Sequence, residues 1–379
     1  MNILVLGSGL VGRPMALDLA KDKSFQVTVV DLSKKNLDRI PDSIQIKKIQ
    51  KDISNPNNLS TLIKDYDIVI NAVPGFMGFN TLKEIIAAKK NVVDIAFFSE
   101  NPFELDELAK QNNVTAVVDC GVAPGMSNLL CGYIDSILDK TETILIYVGG
   151  LPLIREWPYE YKAGFSPIDV IQEYTRPARY IENGKLVIRP ALSDPEFINF
   201  PDVGTLEAFN SDGLRTLADT LTAPNMKEKT LRYPGHIEKM LVLRESGFFS
   251  ENEIEVNGIK IKPIDFTSRL LFPIWELKEG DEEFTVMRVV IEGVKNKKKI
   301  RYTYNLLDRH NEETNVHSMA RTTGYTATTV LRLLAKGLFD RKGICPPEYI
   351  GQKSECVDFV LNGLKERGIV YQQVVETME

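Results

Sequence analysis

Within the first 120 residues, short apolar runs alternate with segments in which apolar residues recur three and four positions apart. The apolar runs lie at 2–6, 26–30, 44–50, 67–72, 91–94 and 115–119, and the periodic segments at 11–21, 59–64, 80–89 and 102–111. Several of the runs are nearly all apolar, as expected of strands buried on both faces, and the periodic segments are typical of amphipathic helices. Their alternation predicts a doubly wound α/β domain with a parallel sheet over residues 1–121.

The pattern changes after about residue 140, where strand-like segments follow one another without helices between them. Segments 253–256 and 259–262 flank Asn257-Gly258, a pair that tolerates the positive φ angles of a type I′ turn and so predicts a hairpin. Segments 283–294 and 299–306 predict a second antiparallel pair, joined by a lysine-rich turn. We therefore expect a separate α+β domain with a mainly antiparallel sheet over residues 122–310.

Helical patterns return within and after this second domain. Ser166-Pro167-Ile168-Asp169 predicts a helix start, because serine caps, proline fits the first turn and aspartate complements the N-terminal dipole. Segments 319–339 and 356–367 are also helical in pattern. We expect residues 311–379 to form a helical segment that returns to the first domain.

Composition and charge exclude several classes of protein. The chain has 379 residues, 43% of them apolar and 26% charged, with a formal net charge of −6, so a nucleic-acid partner is not expected. The four cysteines lack metal-ligand spacing, and no apolar stretch approaches the ~18 residues of a membrane span. We expect a cytoplasmic protein without a metal site or a membrane partner.

A glycine-rich motif follows the first predicted strand. Gly7-Ser8-Gly9-Leu10-Val11-Gly12 has the G-x-G-x-x-G spacing and opens a predicted helix, while Asp31 ends the next strand about 20 residues later. Gly7 permits the tight turn, Gly9 lets the backbone approach a pyrophosphate, and Gly12 lets the helix pack closely on the strand. The motif in this context predicts a Rossmann domain that binds NAD or NADP.

Acidic and loop residues beyond this motif bear on the choice of cofactor. A carboxylate at Asp31 accepts both ribose hydroxyls of NAD and repels the 2′-phosphate of NADP, so NAD is expected, although Lys34 and Lys35 could offset the repulsion. Asp52 is placed either to contact the adenine or to cap the next helix. The residues Asn71, Ala72, Val73 and Pro74 follow the fourth strand, where such sheets bind the ribose and nicotinamide.

Four further motifs carry a resemblance to a known family. They are Val118-Asp119-Cys120-Gly121-Val122-Ala123-Pro124-Gly125-Met126-Ser127-Asn128, Gly149-Gly150-Leu151-Pro152, Tyr161-Lys162-Ala163-Gly164-Phe165-Ser166-Pro167 and Thr230-Leu231-Arg232-Tyr233-Pro234-Gly235-His236. In order and spacing they resemble the saccharopine dehydrogenase family over residues 1 to about 245. The D-C-G-x-A-P-G form is more similar to the branch that contains L-lysine 6-dehydrogenase than to saccharopine reductase.

The resemblance implies NAD-dependent oxidative deamination of L-lysine at its ε-amino group, giving the 6-semialdehyde, which cyclises, and ammonia. The alternatives are a saccharopine reductase-type dehydrogenase, a non-catalytic NAD(P)-binding sensor or assembly protein, and another C–N oxidoreductase such as a polyamine or carboxynorspermidine enzyme. A small amino-acid substrate and a homodimer formed through the antiparallel sheet are further implications of the family.

Such a reaction needs a group that keeps the amine neutral and a cation that holds the α-carboxylate. Asp94 and Asp119 end strands at the expected cofactor edge, and His236 lies within a family-like motif, so these three are the catalytic candidates. Each has a structural alternative, as a loop cap or a hydrogen-bonded core histidine. The candidate carboxylate anchors are Arg155, Lys162, Arg232 and Arg244.

Overall fold

The computed structural model describes residues 1–278 and 280–378, which form two compact units. Unit 1 comprises Met1–Ile137 and Met319–Val370, and unit 2 comprises Leu138–Ser318 together with the residues from Tyr371 onward. The divisions therefore follow residues 137 and 318, whereas the sequence placed them at 121 and 310.

Both units combine strands with helices, numbered in chain order. The strands are β1 Asn2–Leu6, β2 Gln26–Asp31, β3 Ile46–Gln50, β4 Ile68–Asn71, β5 Asn91–Asp94, β6 Thr115–Val117, β7 Lys140–Pro152, β8 Ala178–Glu182, β9 Lys185–Arg189, β10 Glu196–Phe200, β11 Gly204–Asn210, β12 Asn225–Arg232, β13 Ile254–Val256, β14 Ile259–Ile261, β15 Glu283–Lys295, β16 Lys298–Arg309, β17 Gly343–Cys345 and β18 Gln372–Met378. The helices are α1 Gly12–Leu19, α2 Lys34–Asp38, α3 Pro56–Ile63, α4 Gly75–Ala87, α5 Asp106–Gln111 (preceded by a 3-10 turn at Pro102–Leu105), α6 Met126–Ile137, α7 Pro167–Thr175, α8 Leu217–Thr220, α9 His236–Glu245, α10 Pro263–Trp275, α11 Ser318–Ala335, α12 Pro347–Gly351 and α13 Ser354–Lys365.

Unit 1 is built on a seven-stranded sheet in the order β17-β6-β5-β4-β1-β2-β3, with all neighbours parallel. The predicted doubly wound parallel sheet is thus confirmed. Its central strands are largely apolar because both faces are covered; Leu4, Leu6, Val30 and Val69, for example, share one core cluster. The edge strand β3 is more polar and carries Lys47 and Lys48. The chain order reverses between β1 and β4, which is the position where such sheets bind ligands at their carboxyl ends.

The carboxyl-terminal helices of unit 1 pack closely on its earlier part. A side chain at Gly132 of α6 would lie 2.2 Å from the carbonyl oxygen of Glu348, and one at Gly351 would lie 2.1 Å from that of Leu129. Glycine at both positions therefore lets α6 and α12 approach backbone to backbone. This contact explains why α6, which follows the predicted boundary at residue 121, clusters with unit 1.

A buried carboxylate also joins α1 to the carboxyl-terminal helices. Asp18 accepts hydrogen bonds from Arg332 and Arg367, each at 2.8 Å, and from Thr328 at 2.6 Å. Its side chain is 3% exposed. The two guanidinium groups outweigh the cost of burial and lower the pKa of Asp18.

Unit 2 contains a mixed sheet in the order β10-β11-β12-β7-β15-β16-β18, to which β8 and β9 are attached. Only β7 and β12 run parallel among the described strand pairs of this sheet, so the predicted mainly antiparallel second domain is confirmed. The hairpin β13–β14 turns at Asn257 (φ 53°) and Gly258 (φ 79°), which are the positive angles that this pair was predicted to supply.

Two local predictions differ from the structure. Residues 311–379 were expected to be helical, but Gly343–Cys345 form β17 beside β6, and Gln372–Met378 form β18, because they pair with the free edge of β16. Ser166 does precede α7, but its side chain makes no capping hydrogen bond. Among the described residues, no helix is both long enough and apolar enough to cross a bilayer.

Candidate functional site

The glycine-rich loop of unit 1 has the geometry that the motif predicted. Gly7 adopts φ +100°, and a side chain there would lie 2.5 Å from the carbonyl oxygen of Ala72. A side chain at Gly12 would lie 2.1 Å from the carbonyl oxygen of Gly7, whereas one at Gly9 would meet nothing within 4 Å. Gly9 therefore borders open space at the start of α1, where the backbone is free to approach a phosphate.

Two buried polar atoms at this edge have no hydrogen-bond partner among the described residues. They are the hydroxyl of Ser8, which follows β1, and the side-chain oxygen of Asn71, which ends β4. Buried polar groups normally have hydrogen-bond partners. These two atoms, at the carboxyl ends of neighbouring strands, therefore indicate a ligand that supplies the partners. The donor and acceptor pattern fits a dinucleotide lying across the loop. Val11 is the N-cap of α1 without a side-chain cap, and Leu10 borders the same loop.

Asp31 is fixed at the end of β2 by main-chain amides. One carboxylate oxygen accepts the N–H of Ser8 and the other that of Ser33, each at 2.7 Å. The amide of Asn36 lies 3.4 Å from both oxygens. The carboxylate is thus tied to the glycine-rich loop, while Lys34 lies largely exposed against Asp38.

The other predicted cofactor contacts fall at two places. Ala72, Val73 and Pro74 connect β4 to α4, and the N–H of Ala72 donates to Leu6 at 2.9 Å, so this segment lies beside the glycine-rich loop. Asp52 is exposed, and its carboxylate accepts the N–H and hydroxyl of Ser54, which lower its pKa. Asp52 thus closes a local turn, whereas the N-cap of α3 is Asn55, whose side chain accepts the N–H of Asn57.

The catalytic candidates of unit 1 lie on adjacent strands. Asp94 is fully buried, and its two oxygens accept hydrogen bonds from the side-chain amide of Asn71 and the N–H of Ala96, each at 2.7 Å. Asp119, buried and with φ 52°, follows β6, and the N–H of Cys120 donates to the carbonyl oxygen of Asp94 at 2.9 Å. Both carboxylates therefore lie on the edge that carries the glycine-rich loop.

Cys120 adjoins both of these aspartates. Burial, followed by the charges of Asp94 and Asp119, raises the pKa of its thiol well above the ordinary value. A thiol in this environment keeps its proton, so nucleophilic catalysis by Cys120 is disfavoured.

In unit 2, His236 and Arg232 are joined through Tyr174. Arg232 Nε donates to the Tyr174 hydroxyl at 3.2 Å, and that hydroxyl lies 3.0 Å from His236 Nε2. His236 Nδ1 lies 2.8 Å from the carbonyl oxygen of Tyr159, which can only accept. The proton of the ring therefore resides on Nδ1, and Nε2 accepts from the tyrosine hydroxyl.

His236 has the environment of a neutral core histidine. Burial, and after it the charge of Arg232, lowers the pKa of His236 to about 3. Since both ring nitrogens are engaged and the side chain is 1% exposed, the geometry favours the structural alternative over acid–base catalysis near neutral pH.

Arg232 is also buried and paired within unit 2. Its Nη2 donates to Glu173, its Nη1 donates to the carbonyl oxygen of Leu231, and the guanidinium lies 4.4 Å from the ring centre of Tyr161. A substrate carboxylate held by Arg232 would have to replace Glu173.

The other predicted anchors have protein partners as well. Arg155 forms an ion pair with Glu160, Lys162 lies 3.1 Å from Glu156, and Arg244 donates to the carbonyl oxygens of Tyr174 and Ala191. Arg155 is the most exposed of the four anchors, with half of its side chain accessible.

The sequence analysis missed Tyr174, Glu173 and Glu228. Glu228 is buried beside the Ser211 hydroxyl and the Gly213 N–H, and burial raises its pKa to about 8. The available signal was the row of polar residues at alternate positions of β12, Glu228, Thr230 and Arg232, inside a segment that is otherwise strand-like.

Two family models match the chain and together cover most of it. Residues 3–117 match the model described as saccharopine dehydrogenase NADP binding domain. Residues 121–369 match the saccharopine dehydrogenase C-terminal domain.

Similar curated proteins and solved structures agree with these models. The chain is 29% identical over 266 residues to saccharopine dehydrogenase [NADP(+), L-glutamate-forming] of Pyricularia oryzae, covering 66% of this chain but 59% of that protein. It is 22% identical over 396 residues to carboxyaminopropylagmatine dehydrogenase of Synechocystis, covering 99% and 98%. The fold matches apo saccharopine dehydrogenase (L-Glu forming) from Saccharomyces cerevisiae with a TM-score of 0.79, 20% identity and 99% coverage of both chains.

Proposed function

The chain belongs to the saccharopine dehydrogenase family, and from this premise we propose that it catalyses NAD-dependent oxidative deamination of L-lysine at the ε-amino group. Lysine, NAD⁺ and water give the 6-semialdehyde, ammonium, NADH and a proton. The semialdehyde then closes on the α-amine to a cyclic imine. The nicotinamide, when bound, supplies the hydride acceptor.

The observation that carries this proposal is the set of polar side chains at the carboxyl edge of the unit 1 sheet. Asn71, Asp94 and Asp119 follow three neighbouring strands, β4, β5 and β6, beside the glycine-rich loop of β1. Two buried carboxylates here can attract an ammonium group and take its proton. A dehydrogenase acting on an amine needs this function, because an ammonium does not release hydride from its carbon.

Asp94 and Asp119 divide the proton work in this scheme. One carboxylate takes the proton from the ε-ammonium so that the neutral amine can expel hydride from its carbon and become an iminium. The other orients water for attack on the iminium carbon, and the carbon–nitrogen bond then breaks with release of ammonia. Of the two carboxylates, Asp94 is the one held in a fixed position, because Asn71 and Ala96 donate hydrogen bonds to both of its oxygens.

The arginine-rich part of unit 2 supports an amino-acid substrate. Glu173 pairs with Arg232, and its pKa is raised mainly because the side chain is buried. The charged form of Glu173 is therefore less stable than that of an exposed glutamate. In the proposed complex, a substrate α-carboxylate replaces Glu173 on Arg232 and forms a bidentate pair with it. Arg155, which is half exposed, is the second candidate for this role.

Asp31 supports NAD as the cofactor of the proposed reaction. Hydrogen-bond donors from Ser8, Ser33 and Asn36 hold its carboxylate at the end of β2. In this fixed position the carboxylate would repel the ribose 2′-phosphate of NADP. The NADP-binding description of the matched family domain makes NADP the alternative.

A saccharopine-type or related reaction is the second candidate function. It is favoured by the names of the Pyricularia and Saccharomyces relatives, and the Synechocystis relative extends the range of possible substrates to carboxyaminopropylagmatine. All of these substrates carry a carboxylate and an amine, so the same edge of unit 1 would serve them.

The proposal is tested by following reduced-nicotinamide absorbance with the purified protein. NAD and NADP are each offered with L-lysine, saccharopine, carboxyaminopropylagmatine and L-ornithine in parallel. Turnover of lysine with NAD supports the proposal, and turnover of saccharopine alone assigns the second candidate. 1-Aminohexane, in which a methyl group replaces the carboxylate of lysine and the α-amine is missing, should react at least about tenfold more slowly in kcat/KM, since the charge-assisted anchor of the carboxylate is lost.

We also propose that the protein forms a homodimer through the unit 2 sheet. Among the described strands β18 pairs only with β16, and it presents Val374 and Val375, about half exposed, along an open sheet edge. An open edge pairs readily with a second copy of itself. Sedimentation of the protein should give a dimer, and proline at Val374 should shift it towards the monomer.

A further inference from the structure

Unit 2 contains a cavity on the sheet face that does not carry the Arg232–His236 cluster. Side chains alternate along a strand, so Lys227 and Lys229 of β12 lie on the opposite face from Glu228, Thr230 and Arg232. In the parallel register they stand beside Leu145 and Tyr147 of β7. These four residues, with Ile146, Asp194 and Glu196, line a cavity of about 270 Å³.

The inner positive charge of the cavity, the ammonium of Lys229, is paired with groups of the protein itself. The ammonium of Lys229, 5% exposed, lies 2.7 Å from Glu196 and 3.2 Å from the carboxylate of Asp194, and it donates to the Asp194 carbonyl oxygen at 2.6 Å. A buried ammonium requires such partners, since an unpaired one is costly. Lys229 therefore fixes both carboxylates at the rim, where Asp194 is 59% and Glu196 44% exposed.

The outer charge remains available to a ligand. Lys227 lies 3.6 Å from Asp194, which is longer than a hydrogen bond, and 4.7 Å from the ring centre of Tyr180. Its side chain is 27% exposed, and its ammonium meets Asp194 only at ion-pair distance, so a ligand carboxylate can still accept a hydrogen bond from it. The Tyr147 hydroxyl, whose pKa burial and Glu196 raise to about 12, keeps its proton and donates it to Glu196 at 3.5 Å.

We propose that this cavity binds the zwitterion of a small α-amino acid at a second site, separate from the reaction centre. The ligand ammonium lies between Asp194 and Glu196, its carboxylate accepts from Lys227, and its side chain contacts Leu145. The volume supports a small ligand, since it lies just below the about 300–1,000 Å³ of sites for drug-sized molecules. Two ammonium groups and two carboxylates balance in charge, which suits a zwitterion better than a simple anion or cation.

The site is tested by equilibrium dialysis of the full protein with labelled L-alanine, propionate and ethylamine, without nicotinamide. Alanine should bind saturably with a Kd of about 0.1–10 mM, and the two single-charge analogues at least about tenfold more weakly. Lys227→Met should weaken alanine binding about tenfold, the loss expected for one charge-assisted hydrogen bond. The matched control Lys260→Met, on the exposed hairpin β13–β14, should leave it unchanged.

Three results would overturn the inference: no saturable alanine binding at about 10 mM, an unchanged Kd in Lys227→Met, or propionate that binds as tightly as alanine. Glu196→Gln provides a second test if Lys227→Met folds poorly, because it weakens the ammonium side of the same site. Binding at the reaction centre would be insensitive to Lys227, so the outcome does not depend on the proposed deamination. Asp94→Asn should leave alanine binding unchanged.

Discussion

Replacing Asp94 with asparagine is the sharpest perturbation of the proposed reaction centre. The substitution keeps the size of the side chain and removes its charge. Both oxygens of Asp94 accept a hydrogen bond at 2.7 Å, one from the Asn71 amide and one from the Ala96 N–H. With the Asn71 amide in its present orientation, which its hydrogen bond to the Gly78 carbonyl oxygen supports, the NH₂ group of the new amide meets one of these donors whichever way it turns.

The substitution therefore has two separable effects. A buried donor facing a donor should lower the free energy of unfolding by about 1–3 kcal/mol. Loss of one of the two carboxylates that handle the amine proton and the water should lower kcat by about 10²–10⁴, which corresponds to about 2.7–5.4 kcal/mol in the activation barrier. NAD binding should persist, because Gly7, Gly9, Gly12 and Asp31 are unchanged.

The assay is kcat and kcat/KM for lysine at saturating NAD, normalised to the folded fraction measured by thermal denaturation. The exchanged pair Asn71→Asp with Asp94→Asn is the control, because it restores one donor and one acceptor between β4 and β5. Stability should partly return in that variant, while kcat should stay low since the carboxylate has moved to another strand. The carboxylate scheme is wrong if Asp94→Asn and Asp119→Asn both turn over at the parent rate.

Three further predictions concern the cofactor, the fold and pH. Asp31→Ser should weaken NAD binding and relatively favour NADP, and an unchanged ratio of the two dissociation constants would remove the assigned ribose contact. Asp18→Asn should lower the free energy of unfolding by about 3–5 kcal/mol, because two buried guanidinium groups lose their carboxylate, whereas exposed Asp38→Asn should hardly change the urea midpoint. The pKa of His236 is about 3 in the folded protein against an ordinary 6.5, so the free energy of unfolding should decrease as pH falls below 6.5, by about 2 kcal/mol at about pH 5. His236→Gln should lack this part of the pH dependence in urea titrations, and equal pH dependence in the two proteins would contradict the assignment.

Local patterns determined most of the fold of unit 1. All six strands predicted for residues 1–121 occur within a few residues of their expected bounds, because buried parallel strands are apolar on both faces and stand out from amphipathic helices. The glycine motif and the Asn257-Gly258 turn were equally local, since the positive φ angles and close backbone approaches at these positions call for particular residues.

The sequence also specified which side chains lie at the reaction edge, but not how they are paired. Asp94, Asp119 and Asn71 were identified from strand ends, yet the hydrogen bond between Asn71 and Asp94 joins residues 23 positions apart. The arginines show the same limit more strongly. The sequence predicted Arg232 as an anchor for a substrate carboxylate, but its pairing with Glu173 depends on how α7 lies against β12.

Only the tertiary structure decided the state of His236 and the strand at the end of the chain. The protonation of His236 depends on Tyr159 and Tyr174, which lie 77 and 62 residues away in the sequence, and on the burial that desolvates all three. β18 exists because β16 offers it a free edge, whereas residues 372–378 alone carry too weak a period to choose between helix and strand. Backbone propensity and apolar periodicity are local and can be read along the chain, while pairing, desolvation and pKa depend on neighbours that only folding brings together.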